Sequence, residues 1–320
     1  MQQQYDVVVI GGGAAGLGGA LTLSRARRSV LVIDGGQPRN APAAAMHNYL
    51  GRDGTPPGEL LAAGRAEVTG YGGEIESGEV RAAHPVDGGF RVDLADGRSV
   101  RGRRLLVTTG LVDELPDVPG LRELWGADVL HCPYCHGWEV RDQPIGVLST
   151  GSFGVHQALM WRQWSADVTL FLHTGPEPGG EQWEELAARG ITVVSGEVAG
   201  LERAGGRLSG VRLASGQEFP RAAVVVAPRF TARSAVLDSL GLVAAELEMG
   251  GHVVGSAAAA AADGATAAPG VWVAGNVTPL HAQVISSAAA GLTAGAALNG
   301  DLLTEDLRLA VAAARAARAA

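Results

Sequence analysis

The chain carries only two cysteines in 320 residues, too few for the disulfide framework that stabilises small exported domains. Basic residues are also scarce, with 25 Lys and Arg against 33 Asp and Glu. The resulting net charge of −8 and a pI near 5.5 argue against nucleic-acid binding, which needs a basic patch. Every apolar run of about 18 residues is broken by glycine or charge, so no membrane span is expected. The N-terminus, Met1-Gln2-Gln3-Gln4-Tyr5-Asp6, runs into a strand without a basic and apolar leader, so a cytoplasmic protein is expected. With 47% hydrophobic residues, the chain is long enough for two domains with their own cores.

Both cysteines lie in His131-Cys132-Pro133-Tyr134-Cys135-His136-Gly137. Two thiols at this spacing can close a small disulfide ring, and neighbouring imidazoles can lower a thiol pKa or shuttle its proton. The spacing also fits c-type haem attachment or half a zinc site, and inert structural thiols are a further alternative. Haem attachment would require export. Zinc would need four converging donors, whereas the four candidates here lie within six consecutive residues. A redox dithiol is therefore expected, with no metal.

Asp6 to Ile10 is a β-branched run that reads as a buried parallel strand. Gly11-Gly12-Gly13-Ala14-Ala15-Gly16 follows and opens a helical segment through Leu17, Ala20, Leu21 and Leu23. A second strand, Ser29 to Ile33, ends in Asp34. Strand, glycine turn, helix, strand and terminal acid at this spacing form a dinucleotide fingerprint. Gly11 permits the tight turn, Gly13 lets the backbone approach a pyrophosphate, and Gly16 brings helix and strand together. The helix N-terminus then faces the phosphates, and Asp34 can accept hydrogen bonds from a ribose.

Residues 37–51 read as a loop, and a helix is expected from Pro57 to Gly70 with Leu60, Leu61, Ala63 and Val68 inward. Phe90 to Leu94 and Val100 flank a hairpin turn at Ala95-Asp96-Gly97-Arg98. Arg103 to Val107 makes a strand ending at Thr108-Thr109-Gly110, and Val112 to Gly120, with two prolines, reads as a linker. Beyond the dithiol the pattern repeats in worn form: strand Ile145 to Leu148, turn Ser149 to Gly154, helix Val155 to Trp164, strand Ala166 to Leu172. Ser149 occupies the first glycine position, and His173-Thr174-Gly175 offers neither an acid for a ribose nor an arginine for a 2′-phosphate. This half either binds NAD(P)H poorly or keeps the scaffold without the ligand. After a strand at 224–227 the chain returns to the first domain, where strand Val271 to Ala274 leads into Gly275-Asn276. A helix from His281 or Gln283 to Leu298 follows, a candidate second anion or sugar site, and a separate last helix is expected from Thr304 as N-cap. The fold class is α/β: two Rossmann-like dinucleotide-binding domains, the second (115–245) inserted in the first (1–114 and 246–320).

With the fingerprint, Thr108-Thr109-Gly110, the dithiol and Gly275-Asn276 in this order, the chain resembles the low-molecular-weight thioredoxin reductase family over nearly its full length. The resemblance implies FAD held by Gly11, Gly13, Ala15, Gly16, Asp34 and Asn48, with Thr109 and Gly110 at the flavin side. It places Gly275 and Asn276 at the cofactor, Asn276 on the ribityl chain, and Gln283 and Val284 near the ring. The family normally has aspartate at Asn276, so the hydrogen-bonding oxygen is kept and the charge lost. It also has an aspartate acid/base after the second cysteine, where this chain has His136, with His131 added in front. The full glycine motif and paired arginines for NADPH are missing. These departures look like the thioredoxin-reductase-like dithiol oxidases of gliotoxin and holomycin biosynthesis, which close a disulfide in a small dithiol and pass the electrons through flavin to oxygen.

By that resemblance Cys135 is the flavin-proximal thiol and Cys132 the exchange thiol. An imidazole with pKa about 6.5 accepts a thiol proton at neutral pH, whereas an aspartate near about 3.9 is a poor base. His136 is thus expected as principal base with His131 assisting, the bland alternative being that one of them only packs. The leading expectation is a FAD-dependent dithiol oxidase with a small-molecule dithiol substrate and oxygen as acceptor. The alternatives are an NAD(P)H-dependent thioredoxin reductase, or a relative with another electron donor, acting on a thioredoxin-like protein, and a flavin redox sensor. A homodimer is carried over from the family.

Overall fold

The computed structural model describes residues 4–249 and 252–319. The chain opens with β1 (Gln4–Ile10), α1 (Ala14–Arg25), β2 (Val30–Asp34), α2 (Pro57–Gly70), β3 (Glu74–Ser77), β4 (Val80–Val86), β5 (Gly89–Leu94), β6 (Ser99–Val107) and β7 (Leu111–Glu114). An inner unit follows: β8 (Val129–Leu130), α3 (Pro133–His136), β9 (Ile145–Leu148), α4 (Gly154–Trp161), β10 (Val168–Phe171), α5 (Gly180–Ala188), β11 (Thr192–Val194), β12 (Val198–Ala204), β13 (Arg207–Leu213), β14 (Glu218–Pro220) and β15 (Ala223–Val225). The chain returns through β16 (Arg229–Ala232), α6 (Ala235–Asp238), β17 (Ala245–Met249), β18 (His252–Ala257), β19 (Val271–Val273) and α7 (Val284–Ala319).

The apolar run of β1 is buried on both faces, which suits only the middle of a covered sheet. It pairs in parallel with β2 and β6, in a seven-stranded sheet ordered β3-β2-β1-β6-β5-β4 with β19 also on β6. The expected hairpin joins β5 to β6. Pro85 is tolerated because β4 is an edge strand. The inner sheet, β11-β10-β9-β15-β8, is wholly parallel, the second Rossmann-like layer expected from the worn repeat. Helix α4 stops at Trp161, short of the expected Trp164.

Three expectations need correction. Val112 to Glu114 is not linker: β7 pairs antiparallel with β16, so the strands leaving and re-entering the outer unit are zipped together. Ala232, Val236 and Leu237 share a core with Val8 and Leu31, so by packing the chain rejoins the outer unit before residue 245. Nor does Thr304 cap a new helix. It lies inside α7, a continuous helix of 36 residues, where its Oγ1 donates back to the Gly300 carbonyl at 3.0 Å. The acids that suggested a helix start are tertiary partners instead. Glu305 pairs with Arg103 at 2.9 Å, and Asp306 with Arg28 at 2.6 Å, while Arg103 also reaches Asp6 at 2.8 Å. No helix among the described residues is long and apolar enough to cross a membrane.

Helices α1 and α7 touch through glycines, so their backbones come into near contact. A methyl on Gly291 would overlap the Ala15 carbonyl, and one on Gly295 would lie 2.9 Å from the Gly19 carbonyl oxygen. Gly300, one turn further along α7, meets nothing within 4 Å. Urea unfolding should therefore give opposite signs for two like substitutions. Gly291→Ala is expected to lose about 1–3 kcal/mol by overpacking, and Gly300→Ala to gain up to about 1 kcal/mol from helix propensity.

Candidate active site

The turn after β1 is built by close approach. Gly11 has φ +109°, and a side chain on Gly16 would overlap the Gly11 carbonyl. Gly13 has nothing within 4 Å of where a Cβ would stand, and α1 has no side-chain cap, so its first N–H groups are free to hold an anion. Asp34 accepts the Gly12 N–H at 3.1 Å and pairs with Arg65, with carboxylate acceptor capacity left for a ribose. This cradle fits the pyrophosphate and ribose of a dinucleotide.

A cavity of about 1800 Å³ runs from that cradle past Thr109 and Gly110 and the dithiol to the start of α7 and the Ser149–Gly154 turn. Ligand pockets are usually about 300–1,000 Å³, so a cofactor and a second ligand have room. Gly11, Gly13, Ala15, Asp34, Gly275, Asn276, Gln283 and Val284 all line it, while Gly16 stands behind as buttress. Asn276 Nδ2 donates to the carbonyls of Pro279, Leu280 and Ala282 at 3.2, 3.2 and 3.0 Å, leaving the amide oxygen for a ligand. A carboxylate could not make those three bonds, which accounts for asparagine here. Asn48, expected at the cofactor, does not line the cavity. It adopts φ +60° and donates to the Tyr134 carbonyl at 2.6 Å, tying the 37–51 loop to the dithiol helix.

Cys132 precedes α3 in extended conformation, and Tyr134 and Gly137 pack against Trp164. The Cys135 thiol donates to Cys132 Sγ at 2.7 Å. That bond, outweighing burial and aided by the Cys135 and Tyr134 N–H groups and Arg39, brings the Cys132 thiol down to about 7. The same bond, with burial, pushes Cys135 up, so Cys132 carries the thiolate and Cys135 the proton.

His131 Nδ1 lies 3.1 Å from the Val226 carbonyl. A carbonyl only accepts, so Nδ1 carries hydrogen and Nε2 is a free acceptor. Burial holds His131 and His136 below the usual imidazole range, so both are neutral bases at pH 7. Six of the eight histidines line this cavity, at 47, 131, 136, 156, 252 and 281. Among the described residues, no group of three or more His, Cys, Asp or Glu could hold a metal ion. The sequence places the loops at residues 38–51 and 228–234 at the entrance but singles out none of Arg39, Asp113 and Phe230, and it marks His281 only as a helix start. Arg39 sits in an unpatterned loop, and Asp113 in what read as linker.

In the inner unit, buried Ser149 donates to the Gly151 carbonyl at 3.1 Å and fills the hollow that Gly154 and Gly175 leave open. Phe153 meets His252 of β18 edge-on, with ring centroids 6.5 Å apart, across the turn. The arginines lining the cavity, Arg39, Arg229 and Arg233, all come from the outer unit.

A dinucleotide cradle facing a Cys-x-x-Cys carried by an inserted Rossmann unit defines a disulfide oxidoreductase of the thioredoxin reductase type. The family described as pyridine nucleotide-disulphide oxidoreductase matches residues 5–316, and the chain belongs to it. Membership implies FAD. Thioredoxin reductase tcpT of Claviceps purpurea is 36% identical over 55% of this chain and 58% of its own length. Thioredoxin reductase sirT of Leptosphaeria maculans is 29% identical over 95% of this chain and 96% of its own. The chain spans less than two thirds of the first three curated relatives it matches, at 58%, 38% and 48%. The crystal structure of HlmI superposes with TM-score 0.91 at 46% identity, covering 99% of this chain and 98% of that one. An oxidoreductase from Agrobacterium tumefaciens gives TM-score 0.87 at 35% identity, covering 94% of this chain and 99% of that one.

In the reduced protein, iodoacetamide should label Cys132 first, with a rate that rises through pH about 7. Cys135→Ala removes the hydrogen bond that does most to stabilise the thiolate, so the midpoint should climb toward the ordinary thiol value of about 8.5. Mass spectrometry across a pH series reads both.

Proposed function

We propose that the chain is a FAD-dependent dithiol oxidase that closes an intramolecular disulfide in a small-molecule dithiol, with oxygen as final acceptor. The observation that carries this reading is an asymmetry. The outer turn is followed by Asp34 for a ribose, whereas the inner turn, although it lines the same cavity, has Ser149 in place of its first glycine, and among the described residues no acid or arginine of the inner unit lines that cavity. The departures at His131 and His136 support it.

The reaction begins from the Cys132–Cys135 disulfide. A histidine takes a proton from the first substrate thiol, and its sulfur attacks Cys132 Sγ. A substrate–Cys132 bond forms, the Cys132–Cys135 bond breaks, and Cys135 leaves with the electron pair. Cys135 takes the proton of the second substrate thiol, whose sulfur then attacks the first substrate sulfur, closing the product disulfide and releasing Cys132 as thiolate. Its lowered pKa makes Cys132 a good leaving group in this step. The substrate loses two electrons and two protons, and the enzyme is left as the dithiol. FAD supplies a two-electron acceptor that oxygen can regenerate. His136, expected as principal base, and His131 are both held neutral by burial, and His131 has its tautomer fixed by the Val226 carbonyl.

Anaerobic addition of a small dithiol such as dithiothreitol should bleach the flavin spectrum, and NADPH should not. Oxygen uptake should follow dithiol addition. His131→Ala should lower kcat/KM for the dithiol by about 10²-fold or more. Rapid bleaching by NADPH followed by thioredoxin reduction would instead favour a thioredoxin reductase, the activity named in the relatives.

A further inference from the structure

Arg39 belongs to no motif, yet it lines the cavity together with both cysteines. Its Nε and Nη2 donate to the two carboxylate oxygens of Asp113 at 2.8 and 2.7 Å, a fork that fixes the guanidinium plane. The same guanidinium lies over the ring of Phe230, 5.1 Å from its centroid. Asp113 stands on β7 and Phe230 on β16, and the two residues are direct partners in the strand pair. The buried Phe230 ring is met edge-on by His131 at 5.1 Å and by His281 at 5.4 Å. One permanent positive charge is thus clamped by a carboxylate and by a ring that two imidazoles also meet, in the cavity that both cysteines line.

We infer that Arg39 is a positioning residue, whose fixed charge keeps Cys132 ionised while the His131 and His281 rings stay neutral. Disulfide exchange needs both conditions at one pH: a thiolate to leave, and unprotonated imidazole to accept. A nearby cation favours both, because it stabilises the thiolate anion and opposes a second positive charge. The groups that face one another here are consistent with this. The field of Arg39 lowers Cys132, His131 and His281 alike, alongside the larger effects of the Cys135 thiol on Cys132 and of burial on the two rings. Asp113 acts on His131 in the opposite sense, and so tempers the arginine. His136 answers to a separate set, Glu139 and His47, after burial. The inference rests on Cys132 as exchange thiol and is independent of the final electron acceptor.

The test uses full-length reduced holoenzyme and follows Cys132 alkylation by iodoacetamide across pH 5 to 9, which requires no turnover. Arg39→Gln should raise the midpoint by less than Cys135→Ala does, slowing labelling at pH 6 about two- to threefold. Arg39→Lys keeps the charge without the fork and should stay close to the unaltered protein. An unchanged midpoint in Arg39→Gln overturns the inference. So does an equal rise in both variants, which would assign the effect to lost packing rather than charge. If Arg39→Gln does not fold, Asp113→Asn decides. Loss of the opposing carboxylate should move the midpoint down, and an unchanged or raised midpoint overturns the inference. Failure of the oxidase reading would appear only in the oxygen and NADPH experiments, so the two failures are distinguishable.

Discussion

The antiparallel pairing of β7 with β16 is the constraint on which the site depends. A chain that leaves one Rossmann unit to build another could hang the second on two slack tethers. Here the outgoing and returning segments hydrogen-bond to each other, and the Thr109 hydroxyl and Gly110 carbonyl extend the contact to Arg233 at 2.7 and 2.9 Å. That brings Asp113 beside Phe230, and from them the placement of Arg39, His131 and His281 follows. The same crossing carries Thr109 and Gly110 to the cavity, opposite the dithiol. Architecture and chemistry thus share one short ladder.

The two Rossmann units are built on one plan but differ in what surrounds their first turn. In the outer unit, glycines let backbone meet backbone and leave the N-terminus of α1 open. In the inner unit a single hydroxymethyl group at Ser149 takes up the hollow, and the hydroxyl satisfies a local carbonyl. Burying a hydroxyl is tolerable only with such a partner. The difference between the two first turns is therefore a few atoms.

Much of this was legible in the sequence because it is local. The glycine fingerprint, the hairpin at Asp96-Gly97 and the Cys-x-x-Cys all depend on residues within one or two turns of each other, and the structure shows the turn, the hairpin and the dithiol helix there. What was illegible depends on distant partners. Asp113 pairs with Arg39 across 74 residues, and no periodicity announces that. Glu305 and Asp306 looked like the first turn of a helix because acids favour that position. Their real partners, Arg103 and Arg28, lie some two hundred positions or more away. Asn48 was assigned a cofactor contact by family likeness, but its side chain is spent on the Tyr134 carbonyl.

Asn276 separates the scaffold from the proton traffic around it. Thiols and imidazoles line the cavity, and the exchange chemistry moves protons among them. The loop from Pro279 to Ala282, which carries His281, is gathered by an amide that has no proton to gain or lose there. An ionised acid in that place would have no hydrogen to give these carbonyls and would leave the loop ungathered. With an amide, protons can move among the groups that react while the frame that aims them stays constant.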